Sequence, residues 1–290
     1  MYQTFNHLPD LNQQEQLNHL ARIITDFLDV NAIIYIGSLT TTTVIKSCFV
    51  HGGMEGRYRY EYNLLVIPRS GETREDYELQ DLIESRCRSF ARVNATVRGS
   101  EAILDLFRKG CDFFGTVFHS GCLLYRSDQW VIPSAPEQPE DRAMKAGQDW
   151  DLFYGDASGF LAGAEFYAGT GALRHAVFLL HQAAERICSA MIRVFTGLHT
   201  STHNLSKLLQ YTRLFSMEPS AIFPRNTPEE IRLYNLLFKG YSDARYRQSY
   251  RINENELHIL IDRIRQLLQI AQRLCTGQLK RYKLPAQVTG

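Results

Sequence analysis

The chain has 290 residues, of which 44% are hydrophobic and 22% charged, and its formal net charge is +1. That balance excludes a disordered chain and a protein that coats nucleic acid through a global basic field, and the length suits two ordinary domains. No stretch reaches the roughly 18 apolar residues of a membrane span, and Met1 to His7 lack the basic-then-apolar order of a signal peptide.

Residues 11–29 place Leu17, Leu20, Ile23, Ile24, Phe27 and Leu28 on one helical face. Ala32 to Ile36 is a short apolar run that predicts a buried strand, which Gly37-Ser38 is expected to end. In residues 58–67, Tyr58, Tyr60 and Tyr62 alternate with Arg59 and Glu61 before an apolar run from Leu64 to Ile67. This predicts a second strand, closed by Pro68-Arg69-Ser70-Gly71. A charged helix over 73–90, a strand from Val93 to Val97, a helix from Ser100 to Phe107 stopped by Lys109-Gly110, and a short strand from Gly121 to Tyr125 follow. Pro133, Pro136 and Pro139 mark residues 133–139 as a linker, dividing an N-terminal domain of 1–132 from a C-terminal domain of 140–280.

Everything after the linker reads as helix. Residues 140–168 and 171–196 predict two long helices, the second with a wide apolar face from Ala176 to Phe195 and Gly197 as its C-cap. A shorter helix is expected from about His203, with His203-Asn204 as its cap. Thr227-Pro228-Glu229-Glu230 is a capping box, and the last helix starts at Asn253-Glu254-Asn255-Glu256 and runs to about Cys275. The fold class is therefore an α+β domain, a small mixed sheet with flanking helices, followed by an all-α bundle of some five helices. The apolar face over 172–195 exceeds what one small bundle needs, which predicts a homodimer through the C-terminal helical domain. Cys48, Cys87, Cys111, Cys122, Cys188 and Cys275 show no CxxC and no metal spacing, so they read as reduced core thiols of a cytoplasmic protein.

Two sets of residues carry chemistry. Gly37 and Ser38 offer backbone N–H groups and a hydroxyl suited to phosphate oxygens. Glu61 and Asn63 stand at i and i+2 on the next strand, so both point to one face. A pair of carboxylates so placed would share Mg²⁺ on a triphosphate, but Asn63 supplies no charge and Asn94-Ala95-Thr96-Val97-Arg98 supplies no carboxylate. The alternative for Glu61 is a solvent-facing residue on an edge strand. Residues 33–67 resemble the nucleotidyltransferase superfamily, the minimal and kanamycin type included. The resemblance rests on Gly37-Ser38 and on Glu61-Tyr62-Asn63-Leu64-Leu65-Val66, where that family has Asp-x-Asp. It implies a nucleotide site at Gly37, Ser38, Glu61 and Asn63, with Glu61 as a weak metal ligand and ATP or another nucleotide with Mg²⁺ as the cofactor.

The second set comprises Phe178-Leu179-Leu180-His181-Gln182-Ala183-Ala184-Glu185-Arg186, Thr202-His203-Asn204-Leu205 and Tyr241-Ser242-Asp243-Ala244-Arg245-Tyr246. These three motifs, in that order over roughly 140–276, resemble the HEPN domain, an all-α nucleotide-binding or RNA-cleaving module. Many such domains carry an arginine followed four to six residues later by a histidine. Arg245 matches the arginine, Tyr250 stands five residues on, and no histidine follows. A tyrosine of ordinary pKa near 10 is a poor base at pH 7. The resemblance implies a ligand site at His181, Glu185, Asp243, Arg245, Tyr246, Arg247 and Tyr250, where guanidinium groups bind phosphate and rings stack on a base. For the basic turn itself, a solvated surface with tyrosines packed inward is the alternative. His181 and Glu185, at i and i+4, can meet, with a hydrogen-bonded core histidine as the plain reading.

With an acid absent at 63 and a histidine absent after Arg245, the sequence predicts a nucleotide- or nucleic-acid-binding protein rather than an enzyme. The alternatives are an ATP- and Mg²⁺-dependent nucleotidyltransferase acting on a small molecule or macromolecule, and an RNase toxin centred on Arg245. A nucleotide or RNA is the expected partner, and a membrane is not.

Overall fold

The computed structural model describes residues 9–45, 54–108, 111–132, 140–200 and 202–283. The chain separates into two compact units, Met1–Pro136 and Glu137–Gly290. The proline-rich segment 133–139, Cys48 and Lys109-Gly110 lie outside the described residues.

The first unit begins with α1 (Leu11–Thr25), held at its start by a capping box between Asp10 and Gln13. The long strands β1 (Val30–Ile45) and β2 (Met54–Pro68) pair antiparallel. After α2 (Asp76–Cys87), β3 (Arg92–Val97) joins β2 in parallel, as a crossover through a helix allows. Then come α3 (Ser100–Arg108), α4 (Asp112–Ser120) and β4 (Cys122–Arg126), which pairs antiparallel with β1. The sheet order is β3-β2-β1-β4, so the mixed sheet predicted from the sequence is present and β2 is a central strand.

Strand alternation divides the sheet into two faces. Ile33, Tyr35, Tyr62, Leu64, Val66, Val93, Ala95 and Val97 pack with Leu17, Leu20 and Ile24 of α1 and Leu79 and Ile83 of α2 in one buried core. Glu61 and Asn63 of β2 and Asn94 of β3 belong to the opposite face.

One expectation is corrected. Gly37-Ser38 does not end a strand: β1 runs through it to Ile45. Thr40 to Thr43, Val44 and Ile45 are β-branched and favour the extended chain. Gly37 instead follows a register shift between Tyr35 and Gly37, a usual place for glycine in a strand. Helix α4 lies in a stretch for which the sequence analysis named no element, and it buries Phe113, Phe114 and Val117.

The second unit is built around α6 (Leu173–Thr196), with α5 (Glu140–Gly169) and α11 (Glu254–Tyr282) against it. Shorter helices α7 (Leu205–Thr212), α8 (Glu218–Ala221), α9 (Pro228–Phe238) and α10 (Asp243–Tyr246) complete it. The caps read from sequence form as expected. Gly197 ends α6 at φ 70°, and Thr227 with Glu230 and Asn253 with Glu256 close reciprocal boxes. The apolar face of α6 is consumed inside its own bundle: Ala176, Val177, Leu180, Ala183, Ala184, Ile187, Cys188, Met191 and Ile192 are all buried there. The surplus surface that predicted a dimer through that face therefore does not exist. Burial pushes the Cys87 thiol up to about 11 and the Cys188 thiol up to about 12, as inert core thiols require.

Candidate functional site

In the first unit, β-sheet register decides which residues meet. Asn63 lies opposite Asn94 on β3 and opposite Gly37 on β1, and Glu61 lies opposite Arg92. The Asn94 amide donates to Glu61 Oε1 at 2.8 Å and to Asn63 Oδ1 at 3.1 Å, and the Asn63 amide donates to the Gly37 carbonyl at 3.3 Å. Arg92 Nη1 is 3.9 Å from Glu61 Oε2. Glu61 is buried rather than solvent-facing, and its strand is not an edge, so the plain alternative for this residue is overturned.

Ser38 goes elsewhere. It pairs with Tyr62, on the α1 face, where its Oγ accepts from Tyr35 Oη at 3.0 Å and from Gln13 Nε2 at 3.1 Å. Of the four expected nucleotide-site residues, the sheet brings Gly37, Glu61 and Asn63 together and sends the Ser38 hydroxyl to the other side. The residue that sequence reading passed over is Asn94. It was visible only as the lack of an acid, and the strand register that gives it a role is not written in the local sequence.

In the second unit the site is assembled from α6, the start of α7 and the segment around α10. Gly240 makes this possible: a Cβ there would stand 2.9 Å from the Leu237 carbonyl oxygen and 3.0 Å from Val177 Cγ1. Only glycine lets the chain after α9 lie this close to α6. Tyr241 follows directly, and its ring sits 5.7 Å from His181 and 6.3 Å from Phe178, centroid to centroid.

His181 is 1% exposed, and its Nδ1 donates to the Leu237 carbonyl at 3.0 Å. Burial lowers its pKa, with the Leu237 bond and Glu185 opposing, so the ring is held toward its neutral form. The neutral ring then has its proton on Nδ1 and its lone pair on Nε2, 3.9 Å from Glu185 Oε2. His181 is thus the hydrogen-bonded core histidine of the plain reading. The other oxygen of Glu185 accepts from His203 Nδ1 at 2.9 Å. His203 is largely exposed and stacks parallel to the Tyr241 ring, 5.5 Å between centroids and 5° between planes. It does not cap α7; Asn204 does, accepting from the Ser206 and Lys207 amides. His203 was legible only as part of a motif, because its partner stands 18 residues away and on another helix.

Arg245 is exposed. Its Nε donates to the Tyr241 carbonyl at 2.6 Å, and its guanidinium carbon lies 4.2 Å from the Tyr241 ring centre, 4.9 Å from Tyr246 and 5.0 Å from Phe178. Among the described residues no carboxylate pairs with it. Asp243 is bound instead to Arg247, 3.1 Å away. Tyr246 is 76% exposed, leaving a ring face open to a ligand. Tyr250 is buried, its hydroxyl donates to the Leu236 carbonyl at 2.8 Å, and burial pushes its pKa far up. It anchors the segment to α9. The structure therefore groups Glu185, His203, Tyr241, Arg245 and Tyr246, with His181 beneath, and places Arg247 and Asp243 on the far side of the turn.

A family model described as "HEPN domain" matches residues 151–274. A search of curated proteins gave no match. Among solved structures, a nucleotidyltransferase-like protein from Exiguobacterium sibiricum aligns at 13% identity, covering 92% of this chain and 78% of that one, with a TM-score of 0.30. A superposition that loose does not establish a shared fold. The family match spans α6, α7 and α10, the elements that frame Arg245, so residues 151–274 of this chain are similar to HEPN domains.

Proposed function

We propose that the HEPN unit binds a phosphate-bearing nucleotide unit, free or within RNA, at Arg245, with Tyr241, Tyr246 and Phe178 as the aromatic frame. The family match supports a nucleotide- or nucleic-acid-related role. The observation that carries the specific reading is Arg245, exposed, ringed by three aromatic side chains and paired with no carboxylate among the described residues. A guanidinium so placed keeps its outer N–H groups for phosphate, and the open Tyr246 ring can stack a base. Calorimetric titration with AMP, ATP and a short oligoribonucleotide tests this. Saturable binding weakened in Arg245→Ala supports it, and absence of binding by folded protein refutes it.

The first unit, in this reading, is a nucleotidyltransferase-like frame without transfer chemistry. Its donor set does not fit Mg²⁺: one carboxylate and two amides, with the Asn94 amide already bonded to the oxygens a metal would need. A homodimer through the C-terminal unit remains part of the proposal, but on a different face. Met144, Leu152 and Phe166 of α5 are more than half exposed and fall on one side of the helix. A monomeric mass in light scattering at micromolar concentration would remove it.

A specific observation favours one second reading, cleavage of RNA. His203, oriented by Glu185, and Arg245 contact the same Tyr241 ring. In this reading His203 would take the part of the histidine that the sequence lacks after Arg245. His203 Nε2 would take the proton of a ribose 2′-hydroxyl as its oxygen attacks the adjacent phosphorus. The P–O5′ bond breaks, leaving a 2′,3′-cyclic phosphate, and the departing oxygen takes a proton from water. Cleavage of an oligoribonucleotide but not its 2′-deoxy analogue, lost in His203→Ala, would establish it. Intact substrate after prolonged incubation would exclude it.

A further inference from the structure

On the far side of the turn that carries Arg245 lies an open groove of about 460 Å³, between α9 and the segment leading into α11. Its lining joins four cations, Arg232, Lys239, Arg247 and Arg251, to a single carboxylate, Asp243, over an apolar floor that includes Ile231 and Tyr250. The walls are fixed. Tyr250 is bonded to α9 through the Leu236 carbonyl. Arg174 of α6 donates at 2.9 Å to the carbonyls of both Ala244 and Arg247, which holds the turn from behind.

The cations differ in how far they are already engaged. Arg232 is taken up by Glu256 in a two-bonded pair. Arg247 is tied to Asp243 by one nitrogen only. Arg251 bonds only backbone carbonyls, those of Gln248 and Tyr250, and Lys239 is exposed with no ion pair among the described residues. The groove therefore keeps a positive surplus beside an apolar surface. That combination suits a phosphate joined to a ribose and base, and it does not suit an apolar peptide.

Arg245 and Arg247 are two residues apart, so their Cα atoms are separated by at most about 7.6 Å. Their side chains nevertheless serve different surroundings, the Tyr241 ring set and the groove. We infer that the groove is a second nucleotide subsite and that the ligand is a single-stranded oligonucleotide crossing the 242–250 turn, one nucleotide on each side. This rests on the reading of Arg245 as a phosphate site and narrows it from any nucleotide to a strand of at least two.

The test is fluorescence anisotropy on the full chain, with labelled oligouridylate and oligothymidylate of eight nucleotides and with AMP as competitor. The comparison is wild type, Arg245→Ala and the double variant Lys239→Ala/Arg247→Ala, each checked for an unchanged melting temperature. The expected result is that the double variant loses tenfold or more in octamer affinity and keeps its AMP affinity, while Arg245→Ala loses both. The slope of log affinity against log salt should also fall by about 0.7 for each phosphate contact removed. Preference for the ribo over the deoxy octamer would assign the strand as RNA; equal binding would assign it as any single strand. Octamer binding unchanged in the double variant overturns the inference, as does an equal loss of AMP and octamer. If Arg245→Ala alters neither ligand while the double variant loses the octamer, the Arg245 reading fails and the groove stands as the site by itself.

Discussion

Replacing Asn94 with aspartate tests the amide network on β2 and β3. The Asn94 amide now donates to the buried Glu61 at 2.8 Å and to Asn63 at 3.1 Å. Asn94→Asp converts that donor into an acceptor. Losing a bond to a charged group costs about 1.5–3 kcal/mol and losing one to a neutral amide about 0.5–1.5 kcal/mol. A second carboxylate beside Glu61 would add repulsion, relieved by one of the pair keeping a proton at a raised pKa. The sum at pH 7 is about 3–4 kcal/mol, which lowers the urea midpoint by about 2 M for an unfolding slope near 1.5–2 kcal/mol/M. Trp130, buried in the same unit, reports the transition by fluorescence. The deficit should shrink toward pH 5, where the protonated carboxyl donates to Glu61 again. Millimolar Mg²⁺ should stabilise the variant and leave wild type unmoved, since only the variant offers two carboxylates. A variant as stable as wild type, or a wild type stabilised by Mg²⁺, would refute this account of the amide network.

Gly240→Ala should lower the melting temperature of the second unit by about 4–8 °C, because the new Cβ meets Leu237 and Val177 atoms at 2.9–3.0 Å and overpacking of this kind costs about 2 kcal/mol. An unchanged calorimetric transition would show that the segment is free to move off α6. Burial alone would raise Glu256, but its hydrogen bonds from Arg232 outweigh that and hold its pKa below the usual value. The contribution of the pair is therefore complete above the unfolded carboxylate pKa and is lost as pH falls through the lower folded one. Arg232→Met should accordingly cost about 1 kcal/mol at pH 7 and progressively less in denaturation measured below pH 4. For His181 the sign is opposite in origin: its folded pKa is lowered, so the unfolded chain binds the extra proton and stability falls as pH drops below about 6.5. His181→Gln should flatten the slope of stability between pH 6.5 and 5; an unchanged slope would place the acid sensitivity elsewhere.

Local signals in the sequence were sufficient for the five longer helices of the second unit, but not for the four-residue α8 and α10. Capping boxes at Thr227 and Asn253 and the αL glycine at 197 act within four residues, and each forms as written. The strands were legible as apolar runs, but not their extent. Gly37 and Ser38 punctuate a sequence, yet the β-branched residues after them and the partner strand carry β1 onward. Site geometry was legible only where residues lie one helical turn apart, as His181 and Glu185 do. Contacts made by register or by packing were not: Asn94 reaches Glu61 because β3 runs parallel to β2, and His203 reaches Glu185 because the start of α7 folds back on α6. Tyr250 followed Arg245 at a suggestive spacing, but its hydroxyl is committed to the Leu236 carbonyl. Spacing specifies which residues share a turn; it does not specify which face that turn presents.

The most direct measurement is the titration of the full chain with AMP, in wild type and in Arg245→Ala of unchanged melting temperature. The predicted outcome is saturable binding by wild type, weakened at least tenfold, about 1.4 kcal/mol, when the guanidinium is removed. Equal affinity in the two proteins would contradict a phosphate site at Arg245.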